Sequence, residues 1–271
     1  MSAIEERFPR PSVMGVVNVT PDSFSDGGVN FRPGDAIASA RRMVEEGAAI
    51  VDIGGESTRP GADAVSPNEE LRRVVPVLEE LGGPVPVSID TAKAEVARRA
   101  IELGAELVND VTALRGDPGL AEVVASSGAY LCLMHMQGEP RTMQDSPTYE
   151  DVAAEVASFL EQRLAFAVDA GIPEERICLD PGFGFGKTVE QNFELLGRLG
   201  QIVALGRPVL VGLSRKRSLG RILGDPNATT GPLSASLAAA VEAYDRGAAI
   251  FRVHDVREHV EALTVAAAVP R

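Results

Sequence analysis

The sequence predicts a (β/α)8 barrel as a single domain, residues 1–271, with residues 1–11 as a short N-terminal extension. Three observations carry this. Eight short, apolar, strand-like runs recur with amphipathic helices between them, at about 34 residues per unit over 271 residues. The runs are continuously apolar, as in parallel strands covered on both faces. No GxGxxG follows the first run, so the competing doubly wound open sheet is disfavoured, and eight regular units favour closure.

The first run, Val13–Val19, carries Asn18 near its carboxyl end and breaks at Pro21 into Asp22-Ser23-Phe24-Ser25-Asp26-Gly27-Gly28. A polar, Gly-rich loop holding one large aromatic has the character of a lid over a ligand, although an ordinary βα loop with Phe24 tucked into the rim fits the same residues. Ile37, Ala40 and Val44 share a helix face that Gly47 ends before the strand Ile50–Ile53. Ser66-Pro67-Asn68-Glu69 reads as a capping box with Pro at the first helical position, and its helix buries Leu71, Val74, Val75 and Leu78 before Val85–Ile89. Val96, Ala100 and Leu103 precede Gly104 and the strand Leu107–Val108; Asp117-Pro118 starts a short helix before Tyr130–Met134. Thr148-Tyr149-Glu150-Asp151 opens the longest helix, with Val152, Val156, Phe159 and Arg163 on one side. Then follow Ile177–Leu179, a helix near Val189–Leu199, Val209–Val211, a helix with Leu233, Leu237, Ala240 and Tyr244, the strand Ile250–Val253, and a last helix carrying Val256, Val260 and Leu263.

Composition excludes several classes. The chain is 45% hydrophobic and 24% charged with no run of 18 apolar residues, so a membrane span is not expected. No secretory h-region is visible in residues 1–11, and Cys132 and Cys178 lie in strand-like runs without metal-ligand spacing; buried thiols in a cytoplasmic protein are expected. A net charge of −13 argues against nucleic acid as a partner, yet allows an anionic small substrate at a local basic cluster.

In a barrel of this kind, ligands bind where the βα loops converge at the carboxyl ends of the strands. Those positions hold Asn18; Asp52 followed by Glu56-Ser57-Thr58-Arg59; Asp90; Asn109-Asp110; His135; Asp180; Ser214-Arg215-Lys216-Arg217; and Arg252 with His254. A lone Asp after a strand is commonly a helix N-cap. Eight polar strand ends around one mouth are not explained by capping alone. Asp180 lies in Asp180-Pro181-Gly182-Phe183-Gly184-Phe185-Gly186-Lys187. Its carboxylate suits two parallel N–H donors, such as the 2-amino-N3 edge of a pterin, and the glycines let a flat ring approach. Asn109 can donate and accept. Lys216, Arg252 and His254 suit a carbonyl oxygen and a diphosphate. The segment is not a P-loop, because the spacing and the Ser/Thr in register are missing. His135 also reads as a satisfied strand-end histidine, and His259 as a surface residue.

The segments NVTPDSFSDGG, DIGGESTRPG, SIDT, NDV, LMHMQGEPRTMQ, DPGFGFGK, GLSRKR and FRVHDV, in that order from Val13 to Val256, resemble the dihydropteroate synthase family of pterin-binding barrels. The resemblance implies a cytoplasmic homodimer that condenses 6-hydroxymethyl-7,8-dihydropterin diphosphate with 4-aminobenzoate and releases diphosphate with Mg²⁺. By motif it implies that Asn18 contacts Mg²⁺ and diphosphate, joined by Arg252 and His254, that Asp90, Asn109, Asp180 and Lys216 hold the pterin, and that Val253 is among the substrate-binding residues. It places Asp22, Phe24 and Asp26 on a first mobile loop and Thr58 and Arg59 on a second. Phe185 and the backbone around Arg217-Ser218 border the aminobenzoate. Lys216, Asp90, Arg252, His254, Asp22 and Asp26 are the implied catalytic set. Two departures stand out. Ser218 occupies a position where the family commonly has Phe, and residues 227–232 replace its usual Arg-containing approach to the next helix. A non-catalytic pterin-binding paralogue and a methyltetrahydrofolate-binding methyltransferase domain are the alternative readings.

Overall fold

The computed structural model describes residues 2–20, 33–58, 62–81, 83, 85–139 and 141–270. Asp22, Phe24, Asp26 and Arg59 lie outside the described residues. The strands are β1 (Ser12–Asn18), β2 (Ile50–Gly54), β3 (Val87–Asp90), β4 (Leu107–Asp110), β5 (Tyr130–Met134), β6 (Ile177–Asp180), β7 (Leu210–Val211) and β8 (Ile250–Val253). They pair only in parallel, in the order β6-β5-β4-β3-β2-β1-β8-β7. A parallel bridge between Leu179 and Val209 brings the two ends of that order together. The eight-stranded barrel is therefore nearly closed.

The helices are α1 (Ile4–Arg7), α2 (Pro33–Glu45), α3 (Pro67–Leu81), α4 (Ala94–Glu102), α5 (Leu120–Ser127), α6 (Val152–Asp169), α7 (Val189–Gly197), α8 (Gly200–Val203), α9 (Arg217–Ile222), α10 (Leu233–Asp245) and α11 (Val256–Ala268). Strand residues such as Val51, Ile53, Val108, Leu131, Leu179 and Phe251 point outward into one large core shared with the helices. Their neighbours one residue away face the lumen, because side chains alternate along a strand. This alternation sorts core from site.

Several local expectations shift. The buried face of α2 is Ala36, Ser39, Ala40 and Met43, one residue round from the expected stripe. On α3 it is Glu70, Val74, Val77, Leu78 and Leu81, with Leu71 and Val75 only half-buried. Only half the capping box forms: Ser66 Oγ accepts from Glu69 N at 3.2 Å, while the Glu69 carboxylate takes Arg72 and Arg73 instead. The longest helix is capped by Asp151, which accepts from Ala154 N. His259 is buried, not on the surface; its Nδ1 meets Asp255 O at 2.6 Å because α11 turns that face onto the barrel. Within the N-terminal extension, residues 4–8 pack against the barrel. Ile4 and Phe8 are buried in the barrel floor, and Arg7 makes a paired hydrogen bond with Glu106 at 2.7 and 2.9 Å.

Candidate active site

The lumen changes character along its length. At the amino-terminal end Met14, Ile50, Leu107, Tyr130, Leu210 and Ile250 pack with Ile4 and Phe8. Two residues beyond Ile50, Leu107, Cys178 and Ile250, on the same faces, stand Asp52, Asn109, Asp180 and Arg252. Asn18 and Asp90 complete the upper rim.

Arg252 ties this layer together. Its Nε donates to Asp52 Oδ2 at 2.6 Å and its Nη2 to Asp90 Oδ2 at 2.9 Å. Asn109 Nδ2 donates to the same Asp52 oxygen at 3.0 Å. Three strands, β2, β3 and β4, are thus linked to β8 through one guanidinium. Burial opposes the Arg252 charge, yet Asp52 and Asp90 hold its pKa above the ordinary value. Burial pushes the Asp90 carboxyl upward, against the pull of Arg252 and with the push of Asp52. Among the described residues, Asp52 Oδ1 and Asn109 Oδ1 are buried without a hydrogen-bond partner. Leaving a buried polar atom unsatisfied costs about 1–3 kcal/mol, so such atoms mark positions where a ligand can compensate.

Opposite lies the glycine-rich loop after β6. Asp180 Oδ1 accepts from Gly182 N at 2.7 Å. Burial raises Asp180 to about 6, while the Gly182 N–H and the cations Lys216 and Arg252 pull it down. Lys216, the N-cap of α9, lays its ammonium over the Phe185 ring at 4.3 Å from the centroid. A side chain at Gly184 would place Cβ 3.2 Å from Lys216 Cδ, and its φ of +81° is in the left-handed region, so only glycine lets the lysine lie there. Burial lowers Lys216 to about 8, with Arg252 adding to the fall and Asp180 opposing it. Met134, Met136, Met143 and Val111 form an apolar cluster with Phe185 packed against it.

At the β8 end, His254 Nδ1 lies 3.2 Å from Ser214 Oγ, which also accepts the His254 backbone N–H at 3.2 Å. A hydroxyl that accepts that N–H can donate its own proton to Nδ1, which leaves the ring proton on Nε2. Burial, with Arg252 and Arg215, lowers His254 to about 3, so the ring is neutral. Arg215, in a left-handed conformation with φ of 57°, makes a bidentate pair with Asp255 at 3.0 and 2.5 Å, locking the β7 and β8 loops together.

The structure brings Asn18, Asp90, Asn109, Asp180, Phe185, Lys216, Arg252 and His254 to one end of the barrel. Asn18 Oδ1 and Asp90 flank Gly54, where an added Cβ would meet them at 3.7 Å and 3.5 Å. Thr58 is half-buried on the loop after β2, and Arg217 is half-buried at the start of α9. Ser218 is buried in α9. The Val253 side chain, which alternates with Arg252 along β8, packs outward into the helix-facing core rather than into the lumen. His135 is not in the mouth either. It stacks edge-on against Phe159 at 4.9 Å and lies 2.9 Å from Lys187 Nζ, and burial lowers it to about 2. Lys187 also donates to Gly182 O at 2.9 Å and Phe185 O at 3.1 Å, bracing the loop from behind. Asp110 likewise turns away, accepting from Thr112 N and Leu114 N to shape the β4 loop. Sequence reasoning missed the bracing role of Lys187, although it is one of only three lysines in the chain, with Lys93 and Lys216.

A polar crown of carboxylates, an amide and cations over an apolar floor defines a barrel whose ligand site lies at the carboxyl ends of its strands. Comparison with known proteins agrees. The model of the pterin binding enzyme family matches residues 14–254. The dihydropteroate synthase of Escherichia coli (strain K12) is 50% identical over 260 residues, covering 94% of this chain and 90% of the relative. The Yersinia pestis dihydropteroate synthase, solved in a sulfonamide drug complex, superposes with a TM-score of 0.90 at 47% identity, covering 96% of this chain and 94% of that one. The Xanthomonas albilineans enzyme, solved with 4-aminobenzoic acid, gives 0.87 at 50% identity and covers 97% and 95%. The same enzyme solved with 7,8-dihydropteroate gives 0.83 at 47% identity, with the same coverage. The chain belongs to the pterin-binding enzymes and, among them, to the dihydropteroate synthase family, transferases of folate synthesis.

Proposed function

We propose that this mouth, as part of one domain, joins 6-hydroxymethyl-7,8-dihydropterin diphosphate to 4-aminobenzoate through the residues that the geometry gathers there. The observation that carries the assignment of roles is Arg252 bridging Asp52 and Asp90, with Asn109 on the same carboxylate, across the lumen from Asp180 and Lys216. Asp180 Oδ2 accepts from the amino-N3 edge of the pterin. Asn109 and Asp90 serve the remaining ring heteroatoms, and Lys216 donates to the ring carbonyl or nitrogen. Asn18, the His254 Nε2–H and the Arg252 guanidinium face the diphosphate.

The reaction breaks the bond between the pterin methylene carbon and the diphosphate oxygen, and the electron pair leaves with diphosphate. Donors already aimed at that oxygen stabilise the charge as it develops. The cation left at the methylene is stabilised by ring nitrogen lone pairs and by the nearby Asp90 carboxylate. The arylamine nitrogen then forms the C–N bond and loses a proton. An arylamine is a weak nucleophile, which favours this dissociative order. Among the described residues no group of three His, Cys, Asp or Glu is placed to hold a metal ion. The neutral Asn18 amide beside Asp90 fits a Mg²⁺ that arrives on the diphosphate, where the ion supplies positive charge to the leaving group.

Thr58, Phe185, Arg217 and Ser218 border the aminobenzoate, with Arg59 on the same segment as Thr58. Asp22 and Asp26 keep their motif-based assignment. Exposed Ile222 at the end of α9, Leu223 just after it, Leu233 on α10 and Val265 on α11 support a homodimer through that flank. Two buried free thiols support a cytoplasmic setting; among the described residues no helix is long and apolar enough to cross a membrane. Lys216→Gln tests the roles. It keeps length and loses charge, so turnover to dihydropteroate falls by about 100-fold while thermal stability holds. Near-normal turnover would make Lys216 a solvated helix-start cation.

A further inference from the structure

We propose that Lys93 is a positioning residue for the second substrate: with Glu56 and Glu70 it clamps the root of the segment between β2 and α3 that carries Thr58. The proposal rests on Thr58 bordering the aminobenzoate.

Glu70 is fully buried on the inner face of α3, a place where helix periodicity calls for an apolar side chain. A buried carboxylate persists only when paired. Its partner is Lys93, the N-cap residue of α4, at 2.5 Å from Glu70 Oε2. Lys93 Nζ lies equally close, 2.5 Å, to Glu56 Oε2. The other Glu56 oxygen accepts from Val65 N at 3.0 Å, so one carboxylate ties together the two ends of residues 56–65. The preceding residue is pinned as well. Arg73 Nη1 donates to Gly55 O at 2.8 Å. A Cβ on Gly55 would sit 2.8 Å from Val74 Cγ1 and 2.9 Å from Glu70 Cγ, so the backbone is pressed onto α3 with no room for a side chain.

Stability alone does not account for this arrangement. A buried ion pair is commonly no better than an apolar pair of the same volume, because desolvation offsets the attraction. What the charges add is direction. They hold Glu56, and through it both ends of the loop, at fixed points relative to β2, α3 and α4. Thr58 is two residues beyond Glu56. A loop root displaced by an ångström misplaces that side chain without touching the pterin end of the mouth.

The experiment is steady-state kinetics with each substrate varied in turn. The double variant Lys93→Met with Glu70→Leu removes the ion pair without leaving the fully buried carboxylate unpaired, while Glu56 loses its cation but keeps contact with solvent; folding is checked by thermal melting. The expected result is a KM for 4-aminobenzoate raised about tenfold, with the KM for the pterin diphosphate within about twofold of wild type. Glu56→Gln, on a half-exposed side chain that leaves the Lys93–Glu70 pair intact, shifts the same KM in the same direction, so the test stands even if the double variant does not fold. Lys93→Arg restores most of the wild-type value. An unchanged aminobenzoate KM in Glu56→Gln and the double variant, or an equal rise in both KM values, overturns the clamp. Thr58→Ala is run alongside. A raised aminobenzoate KM there with unchanged clamp variants overturns the clamp alone; an unchanged one there removes Thr58 from the site.

Discussion

The two ends of one lumen are built from the same eight strands and obey opposite rules. The lower end holds Met14, Ile50, Leu107, Tyr130, Leu210 and Ile250, with Ile4 and Phe8 closing it from below. The upper end holds Asp52, Asp90, Asn109 and Asp180, all buried, with the half-buried Lys216 and Arg252. The lower layer loses nothing by being empty of ligand. The upper layer carries desolvated charges and polar atoms, Asp52 Oδ1, Asn109 Oδ1 and Ser88 Oγ, without partners among the described residues. Such a layer is not what a chain selected for stability alone would place in its core. The difference separates what holds the barrel shut from what it was shut around.

The largest expected effect tests the lower end. Phe8 is buried against Tyr130, their rings 5.8 Å apart in an edge-on contact. Phe8→Ala removes that ring and leaves a cavity, so unfolding in urea should show a loss of about 3–5 kcal/mol. The value of kcat/KM, measured well below the melting transition, should stay at the wild-type level. A catalytic loss out of proportion to the stability loss would mean that floor and mouth are not separable.

Asp180→Asn applies the converse at the upper end. The new amide still accepts from Gly182 N through its oxygen, so the loop keeps its shape, and one desolvated charge is gone. Stability should be unchanged or higher. Against the pterin edge, however, an acceptor becomes a donor, and the mismatch costs about 1–3 kcal/mol or roughly 5- to 150-fold in affinity. Calorimetry with a pterin ligand measures it, and wild-type affinity would take Asp180 out of the site.

These two variants also mark how much could be read before the fold was known. The eight strands were legible because each falls in a short apolar run between amphipathic helices, and the strands Tyr130–Met134 and Ile250–Val253 match to the residue. The mouth was legible because Asp52, Asn109, Asp180 and Arg252 stand at or near the carboxyl ends of apolar runs, where a barrel's ligand loops converge. Direction was harder. Asn109 and Asp110 are adjacent and similar, and only the register shows that the first faces the lumen while the second braces a loop. Val253 beside Arg252 is the same case. His259 and Glu70 were misjudged or passed over because a polar residue on a helix is ordinarily solvated; their burial depends on how α11 and α3 are rotated against the barrel, which no local pattern encodes. Lys187 braces the glycine loop through backbone carbonyls, a role that leaves no spacing in the sequence.

The smallest effect sharpens the contrast further, because it makes activity and stability move in opposite directions with pH. Asp180 acts as an acceptor, and burial raises it to about 6. The acceptor form is lost as pH falls through that value, so kcat/KM for the pterin substrate should decline on the acid side. Lys216 acts as a charged donor, and burial lowers it to about 8. The charge is lost as pH rises through that value, which gives an alkaline limb. For stability the signs reverse. The folded state binds the Asp180 proton more tightly than the unfolded chain, so its contribution improves as pH falls from about 6 toward the ordinary carboxylate value. It releases the Lys216 proton more readily, so that contribution improves as pH rises from about 8 toward the ordinary lysine value. Each slope is at most about 1.4 kcal/mol per pH unit. Urea titrations of Asp180→Asn and Lys216→Gln beside wild type isolate the two contributions, and pH–rate profiles of the same variants should lose the acid and the alkaline limb respectively. An acid limb that persists unchanged in Asp180→Asn would assign it to another carboxylate of the crown, and Asp90, held beside Arg252, is the one to substitute next.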